Sequence, residues 1–200
     1  FAYQDLRDYY HKWYRPDLQA VIVVGDIDVD MIEKKIKEFF SPIPMPENPA
    51  ERVYYPVNDN EKMIVFRKQD AEQPITLFTL YMKRDVTPRE ERNTEAYYRD
   101  GYLTDIVKHA LNERLQELTE QVDPPFMSAS LRDGSFFLSR TKDATNGFVS
   151  CKQDNVIGGI TALVAEMERA RQHGFTQSEM DRAKAELMRW AENTYAERNK

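Results

Sequence analysis

Three histidines, His11, His109 and His173, are the first residues to weigh for metal or acid–base chemistry. A helical zinc peptidase site needs two histidines one turn apart with a glutamate between them, so that all three side chains reach one centre. None of the three has a histidine four residues away, and neither H-x-x-E-H nor its inverted form occurs. Each falls near a helix C-terminus or on a helix surface, where a partial positive charge suits the helix dipole. His109 and Glu113 are one helical turn apart. They could serve as a base and its orienter, or form an ordinary surface pair.

The other candidates read as structural chemistry. Asp26, Asp28 and Asp30 imitate the start of a calcium loop, but that loop needs Gly at its sixth position and Glu at its twelfth. Met31 and Lys37 stand there, so the run reads as a strand-to-helix turn in which one Asp caps the helix. Gly25 stands alone, and Gly158-Gly159 lies in a helical pattern without the following Lys-Ser/Thr of a phosphate loop. Cys151 sits in the strand-like FVSCK and reads as a buried or edge residue. Ser135 follows Asp133-Gly134, a turn signal. Glu90-Glu91 and Glu166/Glu168 lie on charged helix faces. No catalytic, cofactor-binding or metal-ligating residue is assigned on these grounds.

The elements that would position such residues can be read from periodicity. Residues 3–14 predict a helix that stops at Arg15, because the residue before Pro16 avoids helical backbone. Residues 20–24 (AVIVV) predict a strand buried on both faces, and Asp30 with Glu33 signals the next helix. Pro42, Pro44, Pro46 and Pro49 make residues 41–52 a semi-rigid connector. Strands are expected at 63–66 and 75–82. Thr87-Pro88-Arg89-Glu90 offers a capped start for a long helix, or two abutting ones, running to about Gln121, with Gly101 as a break point. Three short strands are expected at 127–131, 136–141 and 148–152, turned at Asp133-Gly134 and Asn146-Gly147. Two helices end the chain, with Gly174 as a C-cap and Thr176 to Glu179 as a capping box.

This order predicts an α+β two-layer domain with a mixed, largely antiparallel sheet of five to six strands and helices on one face. Two hundred residues suffice for one domain, burying roughly 70% of the unfolded surface. The net charge of −6, from 34 acidic and 28 basic residues, argues against nucleic acid as a partner. No apolar run approaches the ~18 residues of a membrane span. A single cysteine excludes an internal disulfide. The chain opens on Phe1 and closes in a helical pattern, so it reads as a piece of a longer polypeptide.

Two stretches carry more than composition. Tyr9-Tyr10-His11-Lys12-Trp13-Tyr14-Arg15-Pro16-Asp17, running into AVIVVGDID, and Gly174-Phe175-Thr176 through Lys184 resemble the second, non-catalytic domain in the N-terminal half of insulinase/pitrilysin-type zinc metallopeptidases. Leu111 to Leu118 (LNERLQEL) and Pro124-Pro125-Phe126 resemble the bacterial, long-chain branch. The resemblance spans residues 1–200 as one inactive peptidase domain. It implies zinc in the parent protein but none in this chain, because the family's ligands and base sit in the preceding domain. It implies as partners that catalytic domain, the C-terminal half of the same parent and the parent's peptide substrates, and by analogy a periplasmic location. A scaffold domain of a non-peptidase member of the fold is the alternative.

Overall fold

The structure, a computed structural model, describes residues 1–198. The chain divides into two units, Phe1–Val53 and Tyr54–Lys200.

In the first unit, α1 (Tyr3–Trp13) opens where the Ala2 N–H donates to Asp5 Oδ2 at 2.8 Å. It stops as the sequence predicts: Arg15 is extended and Pro16 begins a single 3-10 turn, Pro16–Leu18. Arg15 is buried. Its Nη2 donates to the Ala50 carbonyl and its Nε lies 3.0 Å from Asp17 Oδ1, tying the helix end to the proline segment. Helix α2 (Val29–Phe40) starts two residues earlier than the Asp30 signal suggests, because Asp28 Oδ1 accepts from the Met31 N–H at 2.9 Å. Residues 20–24 form no strand, and Ile22 and Val24 are exposed. A strand needs a neighbour with free N–H groups. Among the described residues of this unit no strand forms beside it.

The second unit holds one antiparallel sheet in the order β1-β3-β2: β1 (Thr76–Asp85), β2 (Ser128–Ser135) and β3 (Lys142–Cys151). The expected five to six strands are thus three. Residues 63–66 have a strand-like composition but join no ladder and are exposed on both faces; without one buried face nothing fixes a register. The expected strand at 136–141 is instead the loop between β2 and β3. The two predicted turns are absorbed into longer strands: Asp133-Gly134 lies in β2, and Asn146-Gly147 lies mid-β3, paired on both sides.

Gly147 serves a different purpose from a turn. A Cβ there would come 3.0 Å from Leu163 Cδ2 and 3.1 Å from Met167 Sδ, so its absence lets α4 (Val156–His173) lie on the central strand. Helix α3 (Glu95–Thr119) covers the same face. Between them sits the core: Leu111, Leu115, Phe126, Leu131, Val149, Cys151 and Leu163. Each large aliphatic buried in this way contributes about 1.5–3 kcal/mol. Helix α3 begins at Glu95, capped by Thr94, whose Oγ1 accepts from the Tyr97 N–H at 3.2 Å. Residues 88–93 make only a turn, so the Thr87 start is corrected. Gly101 does not break the helix. Gly174 (φ +66°) ends α4, and the Thr176/Glu179 capping box opens α5 (Gln177–Glu197), both as expected.

Candidate functional site

The histidines are not brought together as a site. His11 lies in the last turn of α1 and His173 in the last turn of α4. His109 Nε2 stands 3.6 Å from Glu113 Oε1, too far for a hydrogen bond. Glu113 is also reached by Arg182 Nε of α5 at 3.4 Å. Among the described residues, no group of three or more His, Cys, Asp or Glu could hold a metal ion.

The remaining candidates have structural partners. Asp28 caps α2. Gly158 N–H donates to Asn155 Oδ1 at 3.2 Å, and Gly159 packs where a Cβ would meet the Pro125 carbonyl at 3.2 Å. Cys151 is fully buried, and burial pushes its thiol up. Glu166 pairs with Arg169, and Glu168 with Arg171. Ser135 ends β2.

Two polar residues of α3 that periodicity passed over do the joining. Arg114 is buried, yet it lies between the apolar Leu111 and Leu115 in the helix stripe. Its Nε and Nη2 close on the Glu179 carboxylate of α5, Nη2 to Oε2 at 2.9 Å, and Nη2 also donates to the Gly174 carbonyl at 3.0 Å. The Arg114 guanidinium, followed by the Thr176 N–H and hydroxyl, holds the Glu179 carboxyl down to about 2 against the effect of burial. Asn112 binds the backbone of Leu131 in β2. The signal was the N-E-R run itself: polar amide and guanidinium groups inside an otherwise apolar stripe.

The helix-covered face of the sheet changes character along its length. Phe78, Val149 and Ala129 form one cross-strand row; Leu80, Gly147 and Leu131 form the next. The following row, Met82, Thr145 and Asp133, brings in polar groups. Arg84, one step further along β1, donates to Asp133 through Nη1 (2.8 Å) and Nη2 (2.7 Å), and Nη1 lies 3.2 Å from Thr145 Oγ1. Thr145 Oγ1 donates to Asp133 Oδ1 at 2.6 Å. Burial works to raise the Asp133 carboxyl, but Arg84 and Thr145 outweigh it and hold it below its ordinary value. Here the first half of α3, the β1–α3 connector and the β2–β3 loop bound a cleft of about 480 Å³. Lys108 in its wall pairs with Asp105 at 2.6 Å. The cleft has the concavity of a binding site, and its charged groups suit recognition of a polar ligand.

Residues 1–187 match the peptidase M16 inactive domain. The chain belongs to that family. Among its relatives is the "probable zinc protease PqqL" of Escherichia coli, 27% identical over 188 residues, which are 94% of this chain and 20% of the relative. The crystal structure of the periplasmic protease PqqL from Escherichia coli superposes with a TM-score of 0.77 at 25% identity, over 97% of this chain and 21% of that one. The structure of the first half of the same protease gives a TM-score of 0.76 at 23% identity, over 98% of this chain and 41% of that half. The chain thus spans about a fifth of the length of the curated relatives it matches. The inactive-domain family is a zinc-protease family by the names its members carry, and the α+β fold is shared with them. No helix among the described residues is long and apolar enough to cross a membrane.

Proposed function

We propose that this chain is a single non-catalytic domain of a zinc-dependent endopeptidase that degrades peptides. It forms part of the wall of the substrate chamber and supports the catalytic domain that precedes it. The C-terminal half of the same parent closes the chamber, and the protein works in the periplasm. The observation that carries this reading is the family match over residues 1–187, joined to the superposition on the first half of a periplasmic protease. The geometry fits a supporting role: Arg114 with Glu179, and Arg182 with Glu113 and Glu117, tie α3 to α5. In this reading zinc is bound by the preceding catalytic domain of the parent.

The test uses the full-length protein. It should bind one zinc per chain and cleave unfolded peptides, while the present chain alone with added zinc should cleave none. A full-length protein that binds no zinc and cleaves nothing would make this a scaffold domain of a non-peptidase member of the fold.

A further inference from the structure

We propose that the cleft beside the Arg84–Asp133 pair captures a carboxylate of an acidic peptide segment, held by Arg92 and Arg140. This rests on the chamber-wall reading and names the peptide chemistry the wall selects.

The charges of the cleft sort into spent and free. Arg84 is committed to Asp133, and Lys108 to Asp105. Arg92 donates through Nε to the Thr87 carbonyl at 2.9 Å, which fixes its head and leaves Nη1 and Nη2 without a protein partner. Arg140 makes no hydrogen bond or ion pair among the described residues, yet its backbone is held. Ser139 Oγ accepts from the N–H groups of Thr141 (3.1 Å) and Lys142 (3.0 Å), and the Ser139 N–H donates to the Phe136 carbonyl at 3.0 Å. Two guanidinium groups thus line the cleft with Nη groups unsatisfied, and a guanidinium fork of this kind binds a carboxylate in two parallel hydrogen bonds. Asp143 also lines the cleft, but it faces Arg84, whose charge it supports. The chain carries a net charge of −6, whereas four cations and three carboxylates line this cleft. Its local sign is therefore opposite to that of the chain, which concentrates anionic ligands there.

The experiment measures equilibrium binding by fluorescence anisotropy on the full-length protein with EDTA present, so that no peptide is consumed. The probes are a fluorescein-labelled peptide carrying two adjacent glutamates and the same peptide with glutamines. The variants are Arg92→Gln/Arg140→Gln, Arg140→Lys, and Arg171→Gln on the exposed surface of α4. We expect the double variant to weaken the glutamate peptide about tenfold, with Arg171→Gln unchanged and Arg140→Lys intermediate. The glutamine peptide should bind the natural protein about as weakly as the double variant binds the acidic one. Equal affinity for the two peptides overturns the proposal. So does a double variant that melts at the natural temperature and binds as the natural protein does. Because binding is read without turnover, a protein that binds through these arginines but cleaves nothing would sink the peptidase reading and leave this one standing.

Discussion

The side chain of Asn112 in α3 spends both its amide groups on one residue of β2: Nδ2 donates to the Leu131 carbonyl at 3.0 Å, and Oδ1 accepts from the Leu131 N–H at 2.6 Å. Leu131 faces Gly147 of β3 on its inner side, so these are the groups that an edge strand leaves unpaired. One side chain thereby does the work of a further strand at that point, and it shields an edge that would otherwise template aggregation.

Asn112→Ala removes both bonds and leaves a part-buried N–H and C=O without partners. Such groups cost about 1–3 kcal/mol when left unsatisfied. We expect a loss in that range by urea denaturation, with faster aggregation on heating. A change under 0.5 kcal/mol would mean that water replaces the amide at no cost.

The features legible in the sequence were those decided within one or two turns of chain. The stop at Arg15-Pro16, the Gly174 cap and the Thr176/Glu179 box depend on neighbours three or four residues away, and they stand where the residue types put them. The features that failed depend on distant partners. Asn146-Gly147 has the composition of a tight turn, yet β1 supplies a ten-residue ladder that carries β3 straight through it. Residues 20–24 have a strand composition and no ladder to join. The polar cleft was invisible for the same reason: Asp133 lies 49 residues from Arg84 and 12 from Thr145, and only the register of the sheet sets Thr145 beside Asp133 within reach of the Arg84 side chain.

The Arg114–Glu179 pair sets an acid limit on stability. The Glu179 carboxyl is held to about 2 in the folded protein, against an ordinary value of 4.5. A carboxylate depressed by folding contributes stability above its unfolded value, and that stability is lost as pH falls toward the folded one. Melting temperature should therefore fall between about pH 4.5 and pH 2. Glu168, lowered to about 2 by Arg171 and Gln172 on the α4 surface, titrates in the same window. The measurement is thus the difference between the natural protein and Glu179→Gln, which should shrink as the pH drops. Arg114→Ala leaves the part-buried Glu179 carboxylate without its arginine, and about 2–3 kcal/mol of stability should go with it at pH 7. A pH-independent difference would show that the pair contributes through packing alone.

Gly147→Ala tests the close approach of α4 to the central strand. The added methyl would meet Leu163, which is fully buried, and the more adaptable Met167. Overpacking of this kind costs about 1–3 kcal/mol. Gly147→Val should cost more, because it adds further methyls beside a Cβ already crowded by Leu163 and Met167. Had Gly147 served as a turn residue, Gly147→Asn would be tolerated; buried under Leu163, it should be worse than alanine.

His109→Ala and Glu113→Gln separate structural from chemical use of the His109–Glu113 pair. A general base must present a lone pair to substrate within hydrogen-bond reach. His109 Nε2 is buried with no hydrogen-bond partner, and Glu113 Oε1 is too far away to orient it. Glu113 Oε2 instead lies beside Arg182 of α5. In the full-length protein both substitutions should leave kcat for peptide cleavage within twofold, while Glu113→Gln lowers the melting temperature slightly through the lost α3–α5 tie. A hundredfold fall in kcat in His109→Ala, with an unchanged melting curve, would place chemistry on this chain.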